Sequence, residues 1–160
     1  MKMKTVTMLS LILLICMIAA AIYAQGVLSS TSQRAPRQVV AARIFAMRAF
    51  GDNFGDIRGK IKSGNIKGIA ANASSIAALA TLLPFVYGER YPGVYPVKGS
   101  KYFFKGASRR NIEGGFRNLR AQAAGLMKSA SAGDKSGVEA QFGKLGGTCK
   151  GCHQAFRGKY

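Results

Sequence analysis

The sequence predicts an all-α protein built as an antiparallel four-helix bundle, and three observations lead there. Apolar side chains recur at steps of three and four along four separate stretches between Val40 and Phe156. Short breaks containing Gly64 and Gly133 divide the first stretch from the second and the third from the fourth, whereas one long Tyr/Phe/Pro/Gly segment divides the second from the third. No stretch alternates apolar and polar residues as a half-buried strand would. Four stripes with two short connections and one long one bury one another as an up-down bundle.

The chain begins outside that bundle. Lys2 and Lys4 precede an uncharged apolar run from Val6 to about Ala21, followed by small residues and Gln25-Gly26, the pattern of an export signal with Ala21 or Ala24 as the last residue removed. Residues 1–24 are therefore read as a signal peptide and 25–160 as one four-helix domain. The run is close to the roughly 20 residues that cross a bilayer, so an uncleaved anchor is the alternative. Cys16 follows Leu13-Leu14-Ile15 and lacks the small preceding residue of a lipoprotein site, so it belongs to the apolar run.

The 24 Lys and Arg residues face only 6 Asp and Glu. About +16 remains once Lys2 and Lys4 are removed. Export and the scatter of basic residues from Arg34 to Lys159 argue against nucleic acid as the partner. A field of this size speeds docking to an acidic redox protein and attracts an anionic membrane surface; a merely solvated exterior is the bland alternative.

Pro36 can open the first helix, where a missing N–H costs nothing, and Val40, Arg43, Met47, Phe50, Phe54, Ile57 and Ile61 form its stripe. Ser63-Gly64 breaks it. Ile66, Ile69, Ala73, Ile76, Ala80 and Leu83 form a second, alanine-rich stripe that allows close packing and ends near Pro84. From Pro84 to Ser108 no helical period survives, and Tyr102, Phe103 and Phe104 are placed to cover a bundle edge or a cofactor. Ile112, Phe116, Leu119, Ala123, Leu126 and Ala130 make the third stripe. Asp134 can cap the fourth, which runs Val138, Phe142, Leu145, Cys149, Cys152, Phe156, with Gly146 and Gly147 weakening the helix where backbone or cofactor comes close.

The chemistry lies at the end of that fourth stripe, in Cys149-Lys150-Gly151-Cys152-His153. Two thiols three residues apart beside an imidazole are what covalent haem attachment needs: each sulfur adds to a haem vinyl and the histidine reaches the iron. A zinc site cannot be completed, because His153 is the only histidine and the one other cysteine, Cys16, lies in the export signal. A thioredoxin-like pair requires a strand leading into the motif, and none does. An accidental motif in a non-haem basic adaptor is the remaining alternative. Burying both cysteines puts the haem inside the bundle, among apolar side chains that exclude water.

The chain from about Val40 to Tyr160 resembles the cytochrome c′ family and its low-spin relatives, four-helix c-type cytochromes with C-x-x-C-H near the end of the last helix. Gly147 to His153 with Phe156-Arg157 is similar to the family's closing motif, Arg43 with Met47 to its first-helix pattern, and Asn72 to Leu83 with Pro84-Phe85 to its second. The resemblance implies one covalent haem c attached through Cys149 and Cys152, His153 as proximal iron ligand, Arg43 beside the haem propionates, and Arg157, one helical turn past His153, by the proximal face. A plain surface charge is the other reading of Arg157. It also implies attachment in the periplasm and homodimers through the first two helices, which Arg48, Arg58, Lys60, Lys62 and Lys67 would oppose. The chain departs from the family in having no Trp, a place Tyr102 can take.

With one histidine, bis-histidine ligation within the chain is excluded. Of the methionines beyond the export signal, Met47 lies on a stripe and matches the family's distal position, while Met127 only flanks one. If Met47 sulfur reaches the iron, the haem is six-coordinate and the protein an electron carrier; if not, an open apolar face admits nitric oxide or carbon monoxide. The scarcity of carboxylates and the absence of a distal histidine argue against a peroxidase-type enzyme.

Overall fold

A computed structural model describes residues 36–88 and 90–159; residues 1–24, read from the sequence as a signal peptide, lie outside them. Four helices carry the fold: α1 (Pro36–Ser63), α2 (Ile69–Leu82), α3 (Arg109–Ser131) and α4 (Lys135–Phe156). Each ends for a local reason. After α1 the chain reverses at Gly64, whose φ of 76° suits a residue without a Cβ, and Ile66 N–H donates to the Gly64 carbonyl at 2.8 Å. Ser108 caps α3 by accepting from Asn111 N–H at 3.2 Å. Asp134 caps α4, accepting from Gly137 N–H and from the Ser136 hydroxyl, both at 2.9 Å. Helix α4 runs unbroken through Gly146 and Gly147, so those glycines do not interrupt it.

Helix α1 packs on α2, α2 along α3, and α3 along α4. The stripes meet as the spacing predicts: Ile57, Ile69, Ile76, Leu126, Val138 and Leu145 are fully buried. Ala73, Ala80, Ala123 and Ala130 are buried too, and their small side chains let α2 and α3 approach closely. Ile69–Val86 is apolar enough for a membrane span by composition, but Ile69, Ala73, Ile76, Ala80 and Leu83 within it face the bundle core.

Between α1 and α2 the seam turns polar. Buried Asn72 donates to Asn53 Oδ1 (3.0 Å) and Asp56 Oδ2 (2.9 Å) and accepts from Lys60 Nζ (2.7 Å), which also reaches Asp56 (2.8 Å) and the Gly68 carbonyl (3.2 Å). Lys60 is thereby folded into this network and does not project as a charge against a second copy.

Between α2 and α3 the long connection forms two 3-10 turns, Leu83–Val86 and Pro92–Val94, and then a strand. Strand β1 (Tyr102–Phe104) pairs antiparallel with β2 (Arg157–Lys159), with Tyr102 opposite Lys159, Phe103 opposite Gly158 and Phe104 opposite Arg157. The expectation that no strand exists is thus corrected: three-residue strands are too short to show a period. Arg157 closes the helix as its C-cap: its N–H donates to the His153 carbonyl one turn back, while its φ of −98° and ψ of 122° turn the chain out of the helix and into β2.

Candidate haem-binding site

Helices α1 and α4 meet through Phe54 and Phe142, whose ring centroids lie 5.1 Å apart. Alongside them lies an apolar cavity of about 190 Å³, walled by Met47, Phe50 and Phe54 from α1, Phe116 and Leu119 from α3, and Cys149, Cys152 and His153 from α4. A second cavity, of about 510 Å³, opens toward the long connection and is lined by Arg43, Tyr87, Tyr102, Phe104 and Arg157 among others. The two share Met47, Phe116, Cys152 and His153 as walls. The structure therefore brings Cys149, Cys152, His153 and Met47 together and sets Arg43 and Arg157 at the wider end. Met127 is 40% exposed and lines neither cavity.

Helical geometry explains the clustering. Residues three and four apart share a face, so Cys149, Cys152 and His153 present their side chains together from the last turns of α4. Burial raises the Cys149 thiol above its usual range, with the neighbouring Cys152 adding to the shift, and burial likewise raises Cys152. Thiols held protonated do not suit thiolate redox chemistry, which needs a depressed value. His153 is lowered, first by burial and then by the charge of Arg157, which favours the neutral imidazole that metal ligation uses.

Arg43 is 3% exposed, and a buried guanidinium needs compensation. Its Nε donates to the Val86 carbonyl, and its guanidinium carbon lies 4.9 Å from the Tyr87 ring centroid, 5.2 Å from Tyr91 and 5.1 Å from Phe104. Tyr87 packs edge-on to Phe104 and against Phe116. Burial pushes its phenol well above the usual range, opposed by the Arg43 charge. Phe104 is among the residues the sequence places over the bundle edge, whereas Tyr87 and Tyr91 escape sequence reasoning, their only signal being the Tyr/Phe content of the long connection. Arg157 is exposed and stacks over Tyr102 at 4.2 Å.

The donors fit a covalent haem: two thiols and a neutral imidazole on one helix face, an apolar cavity beside them and cations at one end. A cavity of this kind in an antiparallel four-helix bundle defines a helical c-type haem protein. The cytochrome c′ family model matches residues 38–157. Cytochrome c′ of Pararhodospirillum photometricum is 30% identical over 129 residues, covering 76% of this chain and 98% of the relative. Among solved structures, a cytochrome c′ described by an unusual ligand-controlled dimer dissociation superposes with a TM-score of 0.64 at 24% identity, covering 79% of this chain and 99% of that one. A nitric oxide complex of a cytochrome c′ variant from Alcaligenes xylosoxidans gives 0.64 at 24%, covering 80% and 99%. The chain belongs to the cytochrome c′ family, and its cofactor is a single covalently attached haem c.

Proposed function

We propose that Cys149 and Cys152 carry the haem as thioethers, that His153 is the proximal iron ligand, and that the protein is an exported, periplasmic electron carrier that docks with acidic redox partners. The observation that carries this reading is the convergence of Cys149, Cys152, His153 and Met47 on one apolar cavity. Each thiol adds its sulfur and its proton across one vinyl double bond, so attachment is redox-neutral. The haem, once bound, supplies a one-electron iron centre. His153, kept neutral by burial, would offer its lone pair to the iron, Met47 from α1 would be the second, sulfur donor, and Arg43 would supply a cation for the propionates. Residues 1–24 act as the export signal in this reading, and the chain is a carrier with no catalytic acid/base pair.

The same cavity supports a second reading, binding of nitric oxide or carbon monoxide at a five-coordinate iron. Phe50, Phe54, Phe116 and Leu119 give it the apolar walls that a small uncharged gas prefers, and a fold relative has been solved with nitric oxide bound. A homodimer through α1 and α2 is part of either reading. Phe45, Leu82 and Phe85 stand 70%, 64% and 73% exposed there, and the dimerising relative shares the fold.

The optical spectrum of purified protein tests these readings. A low-spin spectrum with a methionine-to-iron charge-transfer band favours electron transfer; a high-spin spectrum that shifts with nitric oxide favours gas binding. Absence of a Soret band would sink both. The double variant Cys149→Ala/Cys152→Ala is expected to lose covalent haem mass, and its retention refutes the attachment sites.

A further inference from the structure

We propose that the β1–β2 clip is the docking surface for a redox protein with an acidic face, an inference that rests on the electron-carrier reading above and gives it a location. The clip stands at the mouth of the cavity that holds His153. Lys101, Tyr102, Phe103, Phe104 and Arg157 all line that cavity, so a protein seated on the clip meets the haem end of the bundle.

Among the described residues the charge there is of one sign. Lys101, Lys105, Arg157 and Lys159 are exposed on the two paired strands and their flanks, and Arg48 reaches over the neighbouring loop beside Gly99. Among the described residues no carboxylate lines the cavity. The ion pairs among the described residues lie elsewhere, between Lys60 and Asp56, Arg109 and Glu113, and Lys135 and Glu139. Arg43 is buried in the cavity wall and Arg157 is stacked on Tyr102, which leaves Lys101, Lys105 and Lys159 as the cations free to meet a partner.

The backbone that carries the cations is also held in place. Gly158 is buried beneath the Phe103 ring, Arg157 stacks on Tyr102, and Lys105 N–H donates to the Phe156 carbonyl at 2.9 Å, tying the clip to the end of α4. A charged surface fixed before contact loses less freedom on binding than one on a loose loop. Steering by complementary charge raises association rates by ten to about a thousandfold and is screened by salt. The other end of the bundle supplies an internal control: Arg58, Lys62 and Lys67 are exposed around the α1–α2 turn, with Lys67 beside Gly133 of the α3–α4 turn.

The probe is a reduced plant-type [2Fe–2S] ferredoxin, an acidic protein, mixed with the oxidised haem-loaded chain. The clip variant Lys101→Gln/Lys105→Gln/Lys159→Gln is expected to slow its second-order reaction about tenfold at low salt, and the control Arg58→Gln/Lys62→Gln/Lys67→Gln less than about twofold. As a readout independent of electron flow, unlabelled ferredoxin is expected to shift the backbone amide resonances of residues 98–105 and 157–159 in the wild-type protein. Equal slowing in both variants, or shifts spread over the helices, overturns the assignment to the clip. Loss of binding to phosphatidylglycerol vesicles in the clip variant with unchanged ferredoxin kinetics also overturns it, and makes the surface a membrane contact. A haem-loaded wild type that a neutral chemical reductant reduces but ferredoxin does not, at any salt, sinks the acidic-partner reading itself.

Discussion

Arg43 on α1 donates its Nε hydrogen to the carbonyl oxygen of Val86, across 43 positions of sequence, and so fastens the first helix to the turn that follows the second. Lysine in its place keeps the charge but can neither hold that bond in a planar fork nor stack among Tyr87, Tyr91 and Phe104. Arg43→Lys is expected to lower unfolding free energy by about 1–2 kcal/mol in urea titration. If the guanidinium faces the propionates, removing its charge stabilises ferric haem, so Arg43→Gln lowers the midpoint potential by some tens of millivolts while Arg43→Lys keeps most of it. Equal potentials in all three proteins would place the cation away from the haem.

Met47 from α1 and His153 from α4 line both cavities, and whether the Met47 sulfur reaches the iron decides between the two readings. Met47→Ala is expected to convert a low-spin spectrum to high-spin, lower the potential and create an affinity for carbon monoxide. An unchanged spectrum shows that the sulfur does not ligate, and the open apolar face then makes gas binding the better reading.

The bundle was legible because its signals are long. Twenty-eight residues of α1 and twenty-three of α3 each carry a complete stripe, and in α3 every residue of the predicted stripe, from Ile112 to Ala130, is buried. Cys149, Cys152 and His153 were legible because their chemistry lies in adjacent turns of one helix. The cage around Arg43 was legible only in Phe104, because Tyr87 and Tyr91 reach it from a connection without period. Strands β1 and β2 were hidden for a related reason: their pairing joins residues more than fifty positions apart, and nothing local to Arg157-Gly158-Lys159 distinguishes a strand from a further turn of helix.

Asn72 closes the polar network between α1 and α2, and its loss leaves Asn53 without that donor and Lys60 with one acceptor fewer. Asn72→Ala is expected to cost about 1–2 kcal/mol, read as a lower urea midpoint at unchanged slope. Lys60 and Asp56 still pair in that variant, so a much larger loss would mean that the network sets the helix register as well as satisfying its own polar groups.

Acid sensitivity follows from two carboxylates. The Gly137 N–H and the Ser136 hydroxyl hold Asp134 below its usual value, and Lys60, then Asn72, do the same for Asp56. A folded-state value below the unfolded one adds stability above the unfolded value of about 3.9, and that stability is lost as pH falls through the depressed values. The thermal midpoint of wild type is expected to drop steeply below about pH 4. Asp134→Asn keeps a capping side chain but removes its titration, so its midpoint falls less steeply over the same range. Parallel curves for the two proteins would show that the cap carboxylate does not contribute to acid unfolding.

Gly158 occupies the one place in β2 where a side chain would collide, since a Cβ there meets the ring of Phe103 on the opposing strand. Alanine must push that ring aside or part the strands, and either change weakens the bond from Lys105 N–H to the Phe156 carbonyl. Gly158→Ala is therefore expected to speed hydrogen exchange at Lys105 by about tenfold, equivalent to about 1.4 kcal/mol of local opening. Exchange in the first turns of α2 and the last turns of α3, at the other end of the bundle, stays as in wild type. Because the last turn of α4 carries His153, the same variant tests how firmly the clip holds the proximal side. If the long connection becomes sensitive to protease while the optical spectrum is unchanged, the clip anchors the connection alone; if the spectrum shifts as well, the two strands also fix the position of the histidine.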